Sequence, residues 1–178
     1  MILYVVLTAK INTLEGFLNI ITYLQENNFD YFVLGAGSNV LCSDKGYRGV
    51  VLKLEEDLSR IERFDEETVE CGAGVKLAQL YSHLHSWGLA GLEYGAGIPA
   101  SVGGATYMNA GAYGFEMSDV VQYVVAFVNN KITYFKKEDC HFAYRNSVFQ
   151  HNNTLLGQDI FLFILLTFLE KSISYNCG

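Results

Sequence analysis

The stretch GLAGLEYGAGIPASVGGATYMNAGAYG, residues 88–114, holds eight of the seventeen glycines of the chain and its only proline. Glycine is used where a backbone takes positive φ or where another group approaches it closely. A linker would be rich in Ser, Lys and Glu, whereas this stretch carries apolar side chains and a single charge, Glu93. We therefore predict a loop whose bare N–H groups wrap a phosphate-bearing ligand.

The bulk composition is that of a globular chain. Its 178 residues are 51% hydrophobic and 17% charged, which suffices for a buried core and excludes a disordered protein. The net charge is −7, and no stretch concentrates Lys and Arg, so a nucleic-acid surface is excluded. An anionic ligand would have to be held by backbone amides and a few well-placed side chains.

The spacing of the cysteines and the length of the apolar runs indicate whether the chain binds a metal, enters a membrane or is secreted. The four cysteines are widely spaced and no metal-ligand spacing occurs, which predicts free thiols in a reducing compartment. The apolar N-terminus lacks the basic region of a signal peptide, and the apolar run at 160–169 is too short to span a bilayer as a helix. We expect a cytoplasmic protein without a metal site and without a membrane partner.

Periodicity predicts an α+β chain of two lobes. Strand, helix and strand follow one another at the start, which predicts a parallel βαβ unit, with Asn12 and Glu15 forming a capping box on the helix. A second helix is predicted near residues 77–84, stopped by Gly88. Strands are predicted at 2–7, 31–34, 50–54, 123–128, 132–135 and 160–169, with a hairpin around 62–71. The lobes are expected to meet near Leu54, giving a first lobe at 1–54, a second at 55–170 and an unassigned tail at 171–178.

A second small-residue loop, Gly35-Ala36-Gly37-Ser38-Asn39, follows a predicted buried strand. It is not the dinucleotide fingerprint, because Val40 stands where the third glycine would be required, and no P-loop lysine follows. Consecutive small residues can still bind a pyrophosphate through their N–H groups. Alone, this loop is weak evidence for phosphate binding.

The segment CHFAYRNS, residues 140–147, places Arg145 between aromatic and polar residues. A guanidinium can clamp a carboxylate in bidentate fashion, but a surface arginine packed beside a tyrosine is the commoner case. Three further residues have equally plain alternatives. Glu93 could simply hold loop amides, Ser101 could be a turn residue instead of a phosphate ligand, and His141 is expected to be packed or exposed without acting as a base.

Three segments taken together, in their order along the chain, identify a protein family far more specifically than any one motif. Residues 35–54, 91–121 and 140–149 closely resemble the UDP-N-acetylenolpyruvoylglucosamine reductase (MurB) family of bacterial cell-wall synthesis. The resemblance covers the chain from the first strand to about Leu169. It implies an α+β fold that binds FAD non-covalently between two lobes, as in flavoproteins of the vanillyl-alcohol-oxidase (PCMH) type.

The resemblance also assigns roles to residues. The loop at 35–39 would hold the FAD pyrophosphate, 98–104 would approach the diphosphate and ribityl chain, and 109–111 would lie close to the flavin. Arg145 would be the catalytic arginine and would bind substrate together with Tyr144. The residues implied to bind the cofactor are Gly35, Ala36, Gly37, Ser38, Asn39, Gly97, Ile98, Pro99, Ser101, Gly103, Gly104, Asn109, Ala110 and Gly111.

The implied reaction is an NADPH-dependent reduction in peptidoglycan synthesis. Hydride would pass from NADPH through FAD to UDP-N-acetylglucosamine enolpyruvate, giving UDP-N-acetylmuramate. Arg145 would balance the negative charge that develops on the substrate, and a general acid would supply the proton.

The chain departs from the family at both ends. Family members continue for about a hundred more residues, the size of a small domain, which bind substrate and carry a serine proton donor and a glutamate. No such segment follows here, so we expect the C-terminal substrate domain to be absent, with a partner chain as one possible source. The alternatives are a non-catalytic FAD-binding module and a different oxidoreductase of the same fold group, against which the Tyr-Arg-Asn-Ser segment argues.

Overall fold

The structure of the chain is a computed structural model that describes residues 7–41, 44–150 and 160–170. Residues 2–6 of the first predicted strand and the predicted tail at 171–178 lie outside these ranges. The first strand within them, β1, is Leu7–Ile11.

A small parallel sheet opens the chain. Helix α1 (Leu14–Glu26) connects β1 to β2 (Tyr31–Val33), and β3 is Val50–Leu54. Both β1 and β2 pair with β3 in parallel, so the strand order is β1-β3-β2. The predicted βαβ unit is confirmed, with β3 inserted between its two strands.

Helix α1 covers this sheet with one apolar face. Its buried residues, Phe17, Ile21 and Leu24, recur at helical spacing. The predicted capping box is wrong by one residue: the Oγ1 of Thr13, not the side chain of Asn12, accepts the N–H of Gly16 at 3.0 Å. Because the helix begins at Leu14, Glu15 falls one position short of the third helical residue that a capping box requires.

The remainder of the chain is built on a five-stranded antiparallel sheet. Its helices are α2 (Leu77–Ser86) and α3 (Val102–Tyr107). The strands of this part of the chain are β4 (Ile61–Arg63), β5 (Thr68–Gly72), β6 (Leu89–Ala90), β7 (Gly111–Ala112), β8 (Phe115–Glu116), β9 (Val121–Val128), β10 (Lys131–Lys136), β11 (Ile160–Thr167) and β12 (Leu169–Glu170). The five-stranded sheet has the order β10-β9-β11-β5-β4, and β6 with β12 and β7 with β8 form two separate two-stranded sheets.

The turn chemistry of this sheet follows the sequence. Asn129 and Asn130 join β9 to β10 with φ of +49° and +60°, the left-handed values that a tight hairpin turn needs. The predicted β4–β5 hairpin is also confirmed. The last apolar run is broken at Phe168, so β11 ends at Thr167 and the short β12 pairs with β6 instead.

The apolar core has two clusters, and residues from beyond Leu54 enter the smaller one, which lies at the parallel sheet. The larger cluster packs α2 and α3 on the antiparallel sheet. The smaller one joins α1 to the parallel sheet and also contains Leu58 and Phe127. The rings of Phe17 and Phe127 meet edge to face with centroids 5.5 Å apart. The lobe boundary at Leu54 stays a prediction, since Leu54 itself packs against both clusters.

The sequence predicted a single loop for the glycine-rich stretch at 88–114, and the structure shows otherwise. The stretch contains β6, α3 and the β7–β8 hairpin. Helix α3 forms despite its two glycines because Ser101 caps it and because Val102 donates its N–H to the carbonyl of Val75 at 2.7 Å. Within the described residues, no helix is long and apolar enough to cross a membrane.

Candidate functional site

Two glycine-bearing segments that are distant in sequence meet at Gly35. The N–H of Leu34 still donates to Leu52 in β3, and the chain turns away from the sheet immediately afterwards. A Cβ on Gly35 would lie 2.5 Å from the Oγ of Ser101 and 3.9 Å from the Cα of Gly104. The absence of a side chain at this position therefore lets the loop at 35–39 pass directly against the start of α3.

The loop at 35–39 is largely exposed. Ala36, Ser38 and Asn39 are exposed, and Gly37 has a φ of +78°, which favours glycine. Across the described ranges of the chain, no backbone hydrogen bond is donated by residues 35–39. Consecutive N–H groups in such a turn are available to an anionic acceptor from outside the chain.

The amides at the start of α3, in contrast, donate hydrogen bonds within the chain. Gly103 donates its N–H to the carbonyl of Ala73 at 2.9 Å, and Gly104 donates to the Oγ of Ser101 at 3.2 Å. A Cβ on Gly103 would lie 2.7 Å from the Cβ of Ala73, so packing alone explains this glycine. The cofactor-binding roles of Ser101, Gly103 and Gly104 stay predictions, and a contact made through the N–H groups of the two glycines would need these internal bonds to break.

Gly97 is a glycine that the fold does not explain. Its φ is not positive, it is exposed, and a Cβ on it would meet no atom of the described residues within 4 Å. Gly95, two residues earlier, is required by packing, because a Cβ there would lie 2.7 Å from the ring of Phe115. The neighbours of Gly97 in the predicted site, Ile98 and Pro99, are half-buried and exposed respectively. A ligand backbone or ring approaching Gly97 closely would account for its lack of a side chain.

Arg145 lies at the tip of a tight turn. Ala143 and Asn146 exchange both backbone hydrogen bonds, at 3.1 and 3.0 Å. Arg145 has a φ of +53°, a left-handed value that costs a non-glycine residue about 1 kcal/mol. Strain of this kind persists where the surroundings enforce it, and it is concentrated at functional sites.

The guanidinium of Arg145 is exposed and directed at the glycine-rich stretch. Its Nη2 donates to the carbonyl of Gly111 at 2.7 Å, and the group lies over the ring of Tyr144 with 5.6 Å to the centroid. The side chain of Tyr144 is itself exposed. An arginine has five N–H donors, so the bond to Gly111 leaves others for an anion.

The residues that follow Arg145 tie its turn to the end of α3. Ser147 is buried and donates its hydroxyl to the carbonyl of Tyr107 at 2.7 Å. Gln150 donates to the same carbonyl at 2.9 Å and to the carbonyl of Arg145 at 3.2 Å. Sequence reasoning missed both, since nothing in the sequence shows that a polar side chain reaches a carbonyl about forty residues away in the chain.

Contacts within the chain account for the residue types at Asn109, Ala110 and Gly111. Asn109 is fully buried with three side-chain hydrogen bonds, and Ala110 is buried with its N–H donated to Ala105. A Cβ on Gly111 would lie 2.2 Å from the carbonyl of Phe115. A role of these residues next to a flavin stays a prediction.

For three residues the sequence left open a role in the fold as an alternative to a role in a ligand site. Glu93 accepts the N–H of Gly91 at 2.8 Å, as expected of a residue that holds a loop amide. Ser101 caps α3, and His141 is exposed with a φ of +45°. These contacts support the alternatives that the sequence left open.

The two cysteines in the described ranges are buried and free of disulfides. Burial raises the pKa of the Cys71 thiol far above its usual range. Burial, followed by the charges of Asp139 and Glu138, raises the pKa of Cys140 to about 12. Neither thiol is a nucleophile near neutral pH.

A parallel βαβ unit followed by an antiparallel sheet, with two glycine-bearing segments that meet at Gly35 and Ser101, fits the framework of a flavin-binding domain. Residues 6–130 match the family described as FAD binding domain, and the chain belongs to this family. It is 40% identical to the UDP-N-acetylenolpyruvoylglucosamine reductase of Halalkalibacterium halodurans over 84% of this chain and 50% of the relative. It is also 40% identical to the reductase of the same name from Bacillus subtilis, over 78% of this chain and 46% of the relative.

Solved structures of similar fold agree with these sequence relatives. The UDP-N-acetylenolpyruvylglucosamine reductase from Thermus caldophilus aligns with a TM-score of 0.75 and 31% identity, covering 92% of this chain and 56% of that one. A cholesterol oxidase from Brevibacterium sterolicum aligns with a TM-score of 0.66 and 17% identity, covering 90% and 34%, which shows the fold alone. The predicted fold class and the resemblance to the reductase family are confirmed. The chain spans about half the length of the curated relatives it matches.

Proposed function

We propose that this chain is the FAD-binding part of a flavin-dependent NADPH oxidoreductase that reduces UDP-N-acetylglucosamine enolpyruvate to UDP-N-acetylmuramate in peptidoglycan synthesis. The observation that carries this proposal is the 40% identity, over 84% of the chain, to a protein with that reductase name. Membership of the FAD binding domain family supports the cofactor independently.

The residues present fit FAD. The amides of the loop at 35–39, which donate no backbone hydrogen bond to the described residues, suit the pyrophosphate, and the open space at Gly97 suits a cofactor that lies directly against the backbone. Ile98, Pro99 and Ser101 would continue this contact toward α3. When bound, FAD supplies the hydride-transfer chemistry between NADPH and the enolpyruvyl double bond.

Arg145 would bind the carboxylate of the enolpyruvyl group. Its guanidinium stays charged at every relevant pH and can form two parallel hydrogen bonds to a carboxylate. Its exposure leaves it able to do so, and its bond to the Gly111 carbonyl uses one of its five donors. The charge would then oppose the negative charge that develops on the substrate, and Tyr144 would flank the same group.

The reaction also needs a proton, and therefore a positioned general acid. By the family resemblance this would be a serine of a substrate-binding domain. We propose that such a domain belongs to the complete catalyst, whether it lies on the same chain or on a partner chain. The proposal also implies a cytoplasmic protein, which agrees with the free thiols of Cys71 and Cys140.

The experiment is a two-stage assay of the purified chain. FAD binding is measured first by flavin fluorescence, and oxidation of NADPH in the presence of the enolpyruvyl sugar is measured second. The proposal predicts saturable FAD binding by the chain and, once a separate substrate-binding domain from a relative is added, turnover that requires both substrates. Binding without turnover, also after addition of a separate substrate-binding domain from a relative, would favour the non-catalytic module. A folded chain that does not bind FAD would contradict both.

A further inference from the structure

We propose that Asn109 is a positioning residue for Arg145, acting through the carbonyl of Ala143. This inference rests on the proposed function, because it concerns how the chain aims the arginine that would bind the substrate carboxylate. It reassigns a residue that the sequence had placed against the flavin.

The side chain of Asn109 is completely buried and fully engaged with the chain. Its Nδ2 donates to the Oε2 of Glu116 at 2.8 Å and to the carbonyl of Ala143 at 3.0 Å. Its Oδ1 accepts the N–H of Ser118 at 2.9 Å. The amide of Asn109 therefore joins the segment at 116–118 and the turn at Ala143 to the end of α3.

One of these bonds acts on the turn that carries Arg145. The carbonyl of Ala143 accepts two donors, the Nδ2 of Asn109 and the N–H of Asn146. The second of these bonds closes the turn, and the first fixes the direction of the carbonyl that closes it. Because Arg145 is held at a φ of +53°, this turn needs such support to keep its shape.

The other bonds hold Asn109 itself. Glu116 accepts from Asn109 while its own backbone N–H donates to the Oδ2 of Asp119 at 2.8 Å. A carboxylate acceptor makes the bond to Asn109 stronger than one between neutral groups. The contacts to Glu116 and Ser118 therefore stabilise the fold locally, whereas the contact to Ala143 reaches the functional turn.

This division allows the two roles to be separated by substitution. Asn109→Asp keeps an acceptor for Ser118 but removes both donated bonds and places a second carboxylate beside Glu116. Adding Glu116→Gln supplies an amide that can donate to the new carboxylate. The double variant thus restores the contact between positions 109 and 116 and leaves the carbonyl of Ala143 without its side-chain donor, with only the N–H of Asn146 remaining. Asn130→Asp, at the exposed β9–β10 turn, is the matched control.

Three readouts are taken on each variant of the full chain: the melting temperature, the FAD dissociation constant, and hydrogen exchange of the Asn146 amide. The double variant should recover most of the melting temperature that Asn109→Asp loses, and it should bind FAD as the parent chain does. Exchange at Asn146 should remain faster by up to about tenfold, the effect of one lost hydrogen bond. Where turnover is measurable, kcat should fall by about tenfold to a hundredfold with an unchanged KM for NADPH, because the arginine is misplaced.

The outcomes separate this inference from the proposed function. If the double variant restores slow exchange at Asn146, or full kcat in an active enzyme, Asn109 is only structural and the inference is overturned. If the parent chain binds FAD but never turns over, even with a substrate-binding domain from a relative added, the proposed reaction fails, and the exchange measurement still decides whether Asn109 holds the turn. Parent-like exchange in both Asn109 variants would also overturn the inference.

Discussion

Gly35 lies directly against the side chain of Ser101, so closely that a Cβ on Gly35 would be 2.5 Å from the Ser101 Oγ. This contact joins the loop after the parallel sheet to the cap of α3. The same Oγ accepts the N–H of Gly104 at 3.2 Å. A side chain at position 35 would therefore have to displace the cap of α3.

The first prediction concerns this pair. Gly35→Ala should lower the free energy of unfolding by about 1 kcal/mol, because the Ser101 hydroxyl must leave its capping position. Ser101→Ala should cost a similar amount on its own. In the double variant the nearest remaining neighbours of the new Cβ lie at 3.7 and 3.9 Å, which are ordinary contacts. Urea denaturation should accordingly show the double variant to be little worse than Ser101→Ala alone, whereas additive losses would mean that the two segments do not meet here.

Gly97→Ala should weaken FAD binding without harming the fold. The structure offers open space for the new methyl group and an ordinary φ, so the melting temperature should be unchanged. A bound cofactor that lies against the backbone would meet the methyl group, and we expect the FAD dissociation constant to rise by about tenfold or more. Gly16→Ala, at an exposed position of α1, is the control and should leave FAD affinity unchanged. Equal affinities for parent and Gly97→Ala would remove Gly97 from the site.

Arg145→Lys should abolish turnover while leaving FAD affinity within about twofold of the parent. Lysine keeps the charge but cannot form the paired hydrogen bonds of a guanidinium, so we expect kcat to drop by about a hundredfold or more. The matched control is Arg63→Lys, since Arg63 also donates to backbone carbonyls, those of Asp65 and Glu66, but lies on β4. A large loss of flavin binding in Arg145→Lys would show that this arginine has been misplaced.

The buried thiols predict a loss of stability at alkaline pH. A raised folded-state pKa means that the folded protein keeps the thiol protons after the unfolded chain has released them. The stability that this provides is complete below the unfolded pKa of about 8.5 and is lost as the pH rises toward the folded value. For Cys140 that upper value is about 12. Cys140→Ala should therefore flatten the decline of unfolding free energy above pH 9, and parallel curves would contradict the assignment.

Local patterns in the sequence were sufficient for the elements that local chemistry controls. The buried face of α1 and the left-handed asparagines at 129 and 130 follow from periodicity and turn preference. The cap of α1 was placed one residue early, because Asn12 and Thr13 are both good caps and only the position of the first helical turn decides between them.

Long-range contacts explain what the sequence could not give. Helix α3 contains two glycines, which disfavour helix, and it forms because Val75 and Ala73 accept the N–H groups of its first residues. The contacts of Asn109 with Ala143 and of Arg145 with Gly111 each span 34 residues. No periodicity records such pairs, so the motifs located the candidate site but could not say which of its residues face a ligand.

The most direct test of the account is a titration of the purified chain with FAD, followed by flavin fluorescence, in parallel with the Gly97→Ala variant. Our account predicts saturable binding to the parent chain and weaker binding to the variant, with identical circular dichroism spectra. A folded parent chain that leaves the fluorescence of FAD unchanged would contradict the claim that the segments meeting at Gly35 and Ser101 form a flavin site.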